Sequence, residues 1–153
     1  MNTMRIKKAV VKDIPAIYKI INNAAKKDLM LPRAFSELYE NLQCYFAAKI
    51  DSKVVGCCAL QISWKDLAEI KSLAVDNKFQ KKGIGRLLVR ACLDEAKVLG
   101  AKKIFCLTYV SEYFSKFGFR KISKHSLPHK VWGECVRCPH FPDCNEIPMI
   151  KKL

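Results

Sequence analysis

Between Leu73 and Arg86 an apolar run passes into a polar loop, then a pair of glycines, Gly83 and Gly85, then an apolar helical pattern. Glycine lets the backbone come close to a ligand. A helix starting there presents unpaired N–H groups and the positive end of its dipole. Those are the requirements for holding a phosphate group. Lys81, Lys82 and Arg86 add positive charge beside it. Two familiar phosphate loops are excluded by spacing: the dinucleotide fingerprint needs a third glycine where Leu88 stands, and the ATP-binding loop needs Gly-Lys-Ser/Thr. A glycine-rich helix start without a ligand stays open at this point.

A second cluster is Cys135, Cys138, His140 and Cys144. These are the donor types of a tetrahedral zinc site, and Cys135 and Cys138 have the Cys-x2-Cys spacing. The second such pair is missing. An iron–sulfur cluster with an outside ligand and a disulfide are alternatives. Thiols that shape a loop are preferred, and no metal is expected. Cys57, Cys58, Cys92 and Cys106 lie in apolar runs and read as small buried hydrophobes, while Cys44 is ambiguous.

The elements that must position these residues follow from hydrophobic periodicity. Arg5–Val11 reads as a strand. A helix follows with Asp13 as cap and Pro15 in its first turn, then a second helix over Ala34–Leu42. Tyr45–Ile50 and Val54–Trp64 form a hairpin, and Leu67–Val75 is the fourth strand. Ile84–Leu99 is helical and stops at Gly100. Lys103–Thr108, Phe119–Ser123 and Ile147–Leu153 are further strands, with a short helix over Glu112–Phe117. Pro148 suggests that the last strand is an edge or carries a bulge. Residues 124–145 read as irregular. The order implies one α/β (α+β) domain spanning residues 1–153 around a mixed sheet.

The chain has 153 residues, half of them apolar, and a formal charge of +14. Such charge attracts anions, whether nucleic acid, acidic surfaces or small acidic substrates. Its lysines are scattered, with no block of five or six, which fits a soluble lysine-rich surface. No apolar run is long enough for a membrane helix, and the start lacks a secretion signal, so a cytosolic location is expected.

Gln80-Lys81-Lys82-Gly83-Ile84-Gly85 resembles the Gln/Arg-x-x-Gly-x-Gly/Ala loop of the GNAT superfamily of N-acetyltransferases. Leu73-Ala74-Val75-Asp76 is similar to the strand before that loop, and Phe117-Gly118-Phe119 to its late Gly-Phe signature. The resemblance implies a mostly antiparallel sheet flanked by helices, with a splayed fourth strand. It implies acetyl-CoA as co-substrate. Leu73, Ala74 and Val75 would then hold the pantetheine arm, and Gln80, Lys81, Lys82, Gly83, Ile84, Gly85 and Arg86 the pyrophosphate.

A narrower resemblance rests on Leu31-Pro32-Arg33, Ser36-Glu37-Leu38-Tyr39, Gly56 to Leu60, Leu67 to Val75, Leu127 to Trp132 and the Cys135–Cys144 segment. These are similar to the short, stand-alone amino-acid N-acetyltransferases (N-acetylglutamate synthases), the enzymes that open arginine biosynthesis. An amino-acid-kinase-like domain often precedes such domains and is not expected here, nor is regulation through it. The resemblance implies glutamate as acceptor. Arg33 and Lys71 would face its α-carboxylate and Arg137 its side chain, because carboxylates call for cationic partners.

Strand alternation puts Glu69, Lys71, Leu73 and Val75 on one face. Glu69 is the candidate base, acting through a water, and the Leu73 N–H the oxyanion donor. Direct attack without an acetyl-cysteine is expected. Many family members carry Tyr where this chain has Phe114, so the thiol's proton donor is unassigned, water being one source. Other acceptors (glutamine, aspartate, an amine or a protein N-terminus) stay open. A nucleic-acid-binding module ranks last, because it leaves the glycine loop unexplained. Apolar side chains on the last strands could support a homodimer.

Overall fold

In the computed structural model, residues 3–127 and 146–153 are described. The first strand, β1 (Met4–Lys8), is shorter than its apolar run. Val11–Asp13 turn instead into a short 3-10 helix, because the Asp13 carboxylate accepts the Val10 N–H at 2.9 Å and ends the extended backbone. Asp13 is itself buried and paired with Lys49 at 3.0 Å. Helix α1 (Ile14–Ala25) follows, with Pro15 in its first turn as expected. Helix α2 (Phe35–Glu40) is cut short by a second 3-10 turn over Leu42–Cys44.

Strands β2 (Tyr45–Ile50), β3 (Lys53–Trp64) and β4 (Leu67–Val75) form an antiparallel meander. Helix α3 (Ile84–Val98) then runs to β5 (Lys103–Thr108), α4 (Ser111–Ser115), β6 (Arg120–Lys121) and β7 (Ile147–Lys152). The sheet order is β1-β2-β3-β4-β5-β7-β6, with β4–β5 its parallel junction. This is the expected mixed, mostly antiparallel sheet.

Strand β7 is internal, so Pro148 is not on an edge. Its carbonyl accepts from Ile122, just beyond the end of β6. In an antiparallel strand the N–H and C=O of one residue point the same way. The missing N–H therefore faces the place where β6 has already stopped, and the sheet tolerates it there.

Helix α3 covers one face of the sheet with Leu88, Val89 and Cys92 against Val55, Ile70 and Ile104. The other face carries Ile14, Ile17 and Ile21 of α1 and Leu38 of α2, packed on Val54, Cys57, Ala59 and Ala74. Each such fully buried aliphatic side chain contributes about 2 kcal/mol by transfer. A third cluster, Leu67, Phe105 and Leu127, lies on the β5 side.

Two irregularities in β4 shape everything that follows. Its pairing with β5 covers only Leu67–Glu69, so from Ile70 onward the two strands part. Against β3, Lys71 pairs with Ala59 but Ala74 with Cys57, leaving one extra residue in β4. That bulge contains Ser72 at φ +57°, a left-handed conformation costing a non-glycine residue about 1–2 kcal/mol.

Candidate active site

The bulge overturns the simple alternation. Lys71 shares the row of Ala59 on the α1–α2 face, and Glu69 is two residues before it on that same face. Leu73 and Val75 instead pack into the α3-side core. The four residues therefore do not point one way: the extra residue flips the alternation between Lys71 and Leu73. Glu69 and Lys71 belong to one face, and Leu73 and Val75 to the other.

On the α3 side, the end of β4 feeds the glycine loop. Asp76 donates its N–H to the Val55 carbonyl at 2.8 Å and accepts the Lys78 N–H at 3.0 Å. The Gln80 amide reaches back to the Val75 carbonyl at 3.1 Å and to Asn77 at 3.3 Å. Gln80 thereby ties the loop to the strand. Lys81 and Gly83 both take positive φ, +62° and +82°. Backbone alternating through left-handed residues turns successive N–H groups toward one side, an arrangement that suits anions. Gly83 is also the residue from which α3 starts.

A side chain at Gly85 would bring its Cβ within 2.7 Å of the Tyr113 hydroxyl. The absence of a Cβ therefore lets the Tyr113 hydroxyl reach the first turn of α3. Burial holds the Tyr113 phenol above its usual pKa. Phe114, at the place where Tyr is frequent in the resembled family, is 5% exposed and packs edge-on against Tyr113 and Phe119. It belongs to the core.

From Arg86 a cavity of about 530 Å³ runs between α3 and α4. Among the described residues Arg86, Arg90, Lys97, Lys116 and Lys151 line it, with Asp94 as the one acid. The field inside favours an anion.

On the α1–α2 face the cationic and acidic side chains gather over a small floor. Tyr45, Ala59 and Lys71 form one cross-strand row. Arg33 is near enough for its charge to act on the Tyr45 phenol, and it pairs with Glu37. The Arg33 backbone is fixed to α1 by Asn22, whose side-chain amide donates to its carbonyl at 3.0 Å and accepts its N–H at 3.2 Å. The Tyr45 hydroxyl donates to Ser72 Oγ at 3.2 Å, and burial raises its pKa to about 12. Glu69 is 8% exposed. Its row continues to Gln61 on β3 and Phe105 on β5, at the point where the strands part.

The cysteines of the core are poor nucleophiles. Burial pushes the Cys57 thiol up to about 12. Cys58 is also raised, by its hydrogen bond with Cys92 and by burial, and Cys106 is raised by burial and the nearby charges of Glu69 and Glu146. Among the described residues no group of three or more His, Cys, Asp or Glu could hold a metal ion. Arg137, Cys135, Cys138, His140 and Cys144 lie outside the described residues.

The structure thus brings Leu73, Val75 and the Gln80–Arg86 loop together on one side of β4, and Arg33, Lys71 and Glu69 on the other. Sequence reasoning missed Tyr45, Ser72 and the basic residues Arg90, Lys116 and Lys151. Only the spacing of Arg86 and Arg90, one helical turn apart, offered a local signal.

The acetyltransferase (GNAT) family model matches residues 12–119. An uncharacterised N-acetyltransferase of Chlorobaculum tepidum is 37% identical over 97% of this chain and 96% of its own. An amino-acid acetyltransferase of Mycobacterium tuberculosis is 34% identical, covering 86% of this chain and 77% of its own. N-acetylglutamate synthase from Neisseria gonorrhoeae, crystallised with coenzyme A and N-acetyl-glutamate, superposes with a TM-score of 0.90 at 25% identity. The match covers 99% of this chain and 35% of that longer one. The chain belongs to the GNAT acetyltransferase family, whose chemistry is acyl transfer to nitrogen.

Proposed function

We propose that this protein transfers acetyl from acetyl-CoA to the α-amino group of an acidic amino acid, glutamate above others. The observation that carries this is the acceptor face of β4. Two cationic side chains serve that face, Lys71 in the row of Tyr45 and Ala59 and Arg33 on the approach to α2, with the buried carboxylate of Glu69 two residues before Lys71 on the strand. A dicarboxylate amino acid has the charges to answer them. The neighbour crystallised with coenzyme A and N-acetyl-glutamate supports the same pairing of ligands.

The donor lies along the other side. Its pantetheine follows the β4 edge opened by the loss of β5 pairing, with Leu73, Ala74 and Val75 offering backbone groups. Its pyrophosphate sits on the Gln80–Arg86 loop, and its nucleotide end runs from Arg86 into the basic cavity. Holding both substrates at once across a single strand converts a bimolecular step into a positioned one. The amine nitrogen, neutral after passing its proton through water to Glu69, attacks the thioester carbonyl. The oxygen takes negative charge and is met by the Leu73 N–H. As the tetrahedral centre collapses, the C–S bond breaks, the nitrogen releases its surplus proton to water and the thiolate takes a proton back from water. The protonated core thiols are unsuited to an acetyl-cysteine step.

The product, N-acetylglutamate, would place the enzyme at the start of arginine biosynthesis in the cytosol. The test is to incubate the purified protein with acetyl-CoA and each amino acid separately and to detect products by mass. Acetylation of glutamate well above the others is expected. Acetylation of none, or of a cationic amine in preference, would sink this reading.

A further inference from the structure

We infer that the hydroxyl pair Tyr45–Ser72 is a positioning device for the acceptor site, fixing the distance between the Arg33 and Lys71 sides of the substrate pocket. This rests on the acceptor reading above and adds to it two residues outside the binding set. Ser72 is a buried non-glycine residue at φ +57°, 8% exposed. Strained backbone of this kind persists only where its surroundings hold it.

Here three side chains do so. Tyr45 Oη donates to Ser72 Oγ at 3.2 Å, the Cys57 thiol donates to the Ser72 carbonyl at 3.4 Å, and the Cys58 thiol approaches the Lys71 carbonyl at 3.9 Å. Tyr45 is 3% exposed and stands on β2, two strands away from β4. Its phenol stays protonated at any working pH, so it remains a donor to Ser72.

The geometry makes Tyr45 a strut. At its base it is fixed in the sheet opposite Ala59, in the row that ends on Lys71. At its tip it meets Ser72 in the bulge and feels the charges of Arg33 and Glu37 from the α1–α2 side. Arg33 is held independently by Asn22 and Glu37. Tyr45 thus couples the bulge that follows Lys71 to the side of the site that carries Arg33, a residue of the loop before α2. Without its hydroxyl the bulge loses the one of its three ties that reaches the Ser72 side chain, and with it part of what sets where Lys71 leaves the strand. The donor loop on the other face of β4 has its own ties through Gln80 and Asp76.

The test is steady-state kinetics of Tyr45→Phe, Ser72→Gly and the double variant, each with glutamate and acetyl-CoA varied in turn. Ser72→Gly keeps the left-handed backbone without strain and removes the hydroxymethyl side chain, its hydroxyl with it. Each single variant is expected to raise the KM for glutamate about tenfold, the scale of one hydrogen bond, with the KM for acetyl-CoA unchanged. The double variant should be no worse than either single one, as for partners in one bond. An unchanged glutamate KM in Tyr45→Phe would overturn the inference while leaving the acceptor reading intact. So would additive losses, or equal rises in both KM values with a fallen Tm, which mark general loosening. Failure of the wild type to acetylate glutamate would overturn both.

Discussion

The two sides of β4 are built by different means. The side proposed for the donor is largely backbone: a glycine loop, a helix N-terminus and a strand edge left open by its neighbour, all within Leu67–Val98. The side proposed for the acceptor is made of side chains gathered from α2 and its approach, β2 and β4, over residues 33 to 72. Sites made of backbone are specified by local conformation, and sites made of side chains by long-range register. The first should tolerate changes of side chain that spare its glycines. The second should respond sharply to single atoms.

The largest effect that would sharpen this contrast is on chemistry. Glu69→Gln should lower kcat about 100-fold, the scale of general-base catalysis, most strongly at lower pH where free amine is scarce. Full activity at low pH would remove Glu69 from the mechanism. Arg33→Ala should raise the glutamate KM by about 30-fold through loss of a charge-assisted contact, leaving the KM for acetyl-CoA in place. Gly85→Ala should do the reverse. Its Cβ, 2.7 Å from the Tyr113 hydroxyl, forces the Tyr113 ring to shift beside the loop, and the KM for acetyl-CoA should rise about tenfold. If Gly85→Ala altered the glutamate KM instead, the division of labour would be broken.

A smaller change is expected from Arg90→Ala in the basic cavity. A single exposed charge there should cost about threefold in acetyl-CoA KM, and the loss should shrink as salt is added. Smallest at neutral pH is a stability effect confined to the α1–α2 side, where Cys57 and Tyr45 are both buried. The folded pKa values of Cys57 and Tyr45, each about 12, stand above the ordinary 9.0 and 10.0. The folded state therefore holds these protons more tightly than the unfolded one. Their contribution is intact below about pH 9 and is lost as pH climbs toward 12. Thermal scans should show Tm constant near neutrality and falling above pH 9. A Tm independent of pH through that range would contradict the burial of these groups.

The same contrast explains what could be read from the sequence. The glycine loop, α3 and the meander were legible because they depend on neighbours a few residues away. Gly83 and Gly100, at φ +82° and +92°, mark the two ends of α3 as their sequence positions imply. Face assignments beyond Lys71 were not legible. One extra residue in β4 inverts them, and nothing in the composition of Lys71-Ser72-Leu73 distinguishes a bulge from regular strand. The early end of β1 turned on one carboxylate, Asp13, which outcompeted the strand propensity of Val10 and Val11. Pro148 misled because its strand's order in the sheet is a matter of topology. Tyr45 escaped notice because its partner Ser72 is 27 residues away.

The central claim is that donor and acceptor are held together on opposite sides of β4 and that acetyl passes directly between them. Initial velocities measured over a grid of acetyl-CoA and glutamate concentrations test it most directly. Lines that intersect in the double-reciprocal plot are expected, with no acetylated protein found by mass when acetyl-CoA is supplied alone. Parallel lines, together with an acetyl group on one of the cysteines, would contradict it.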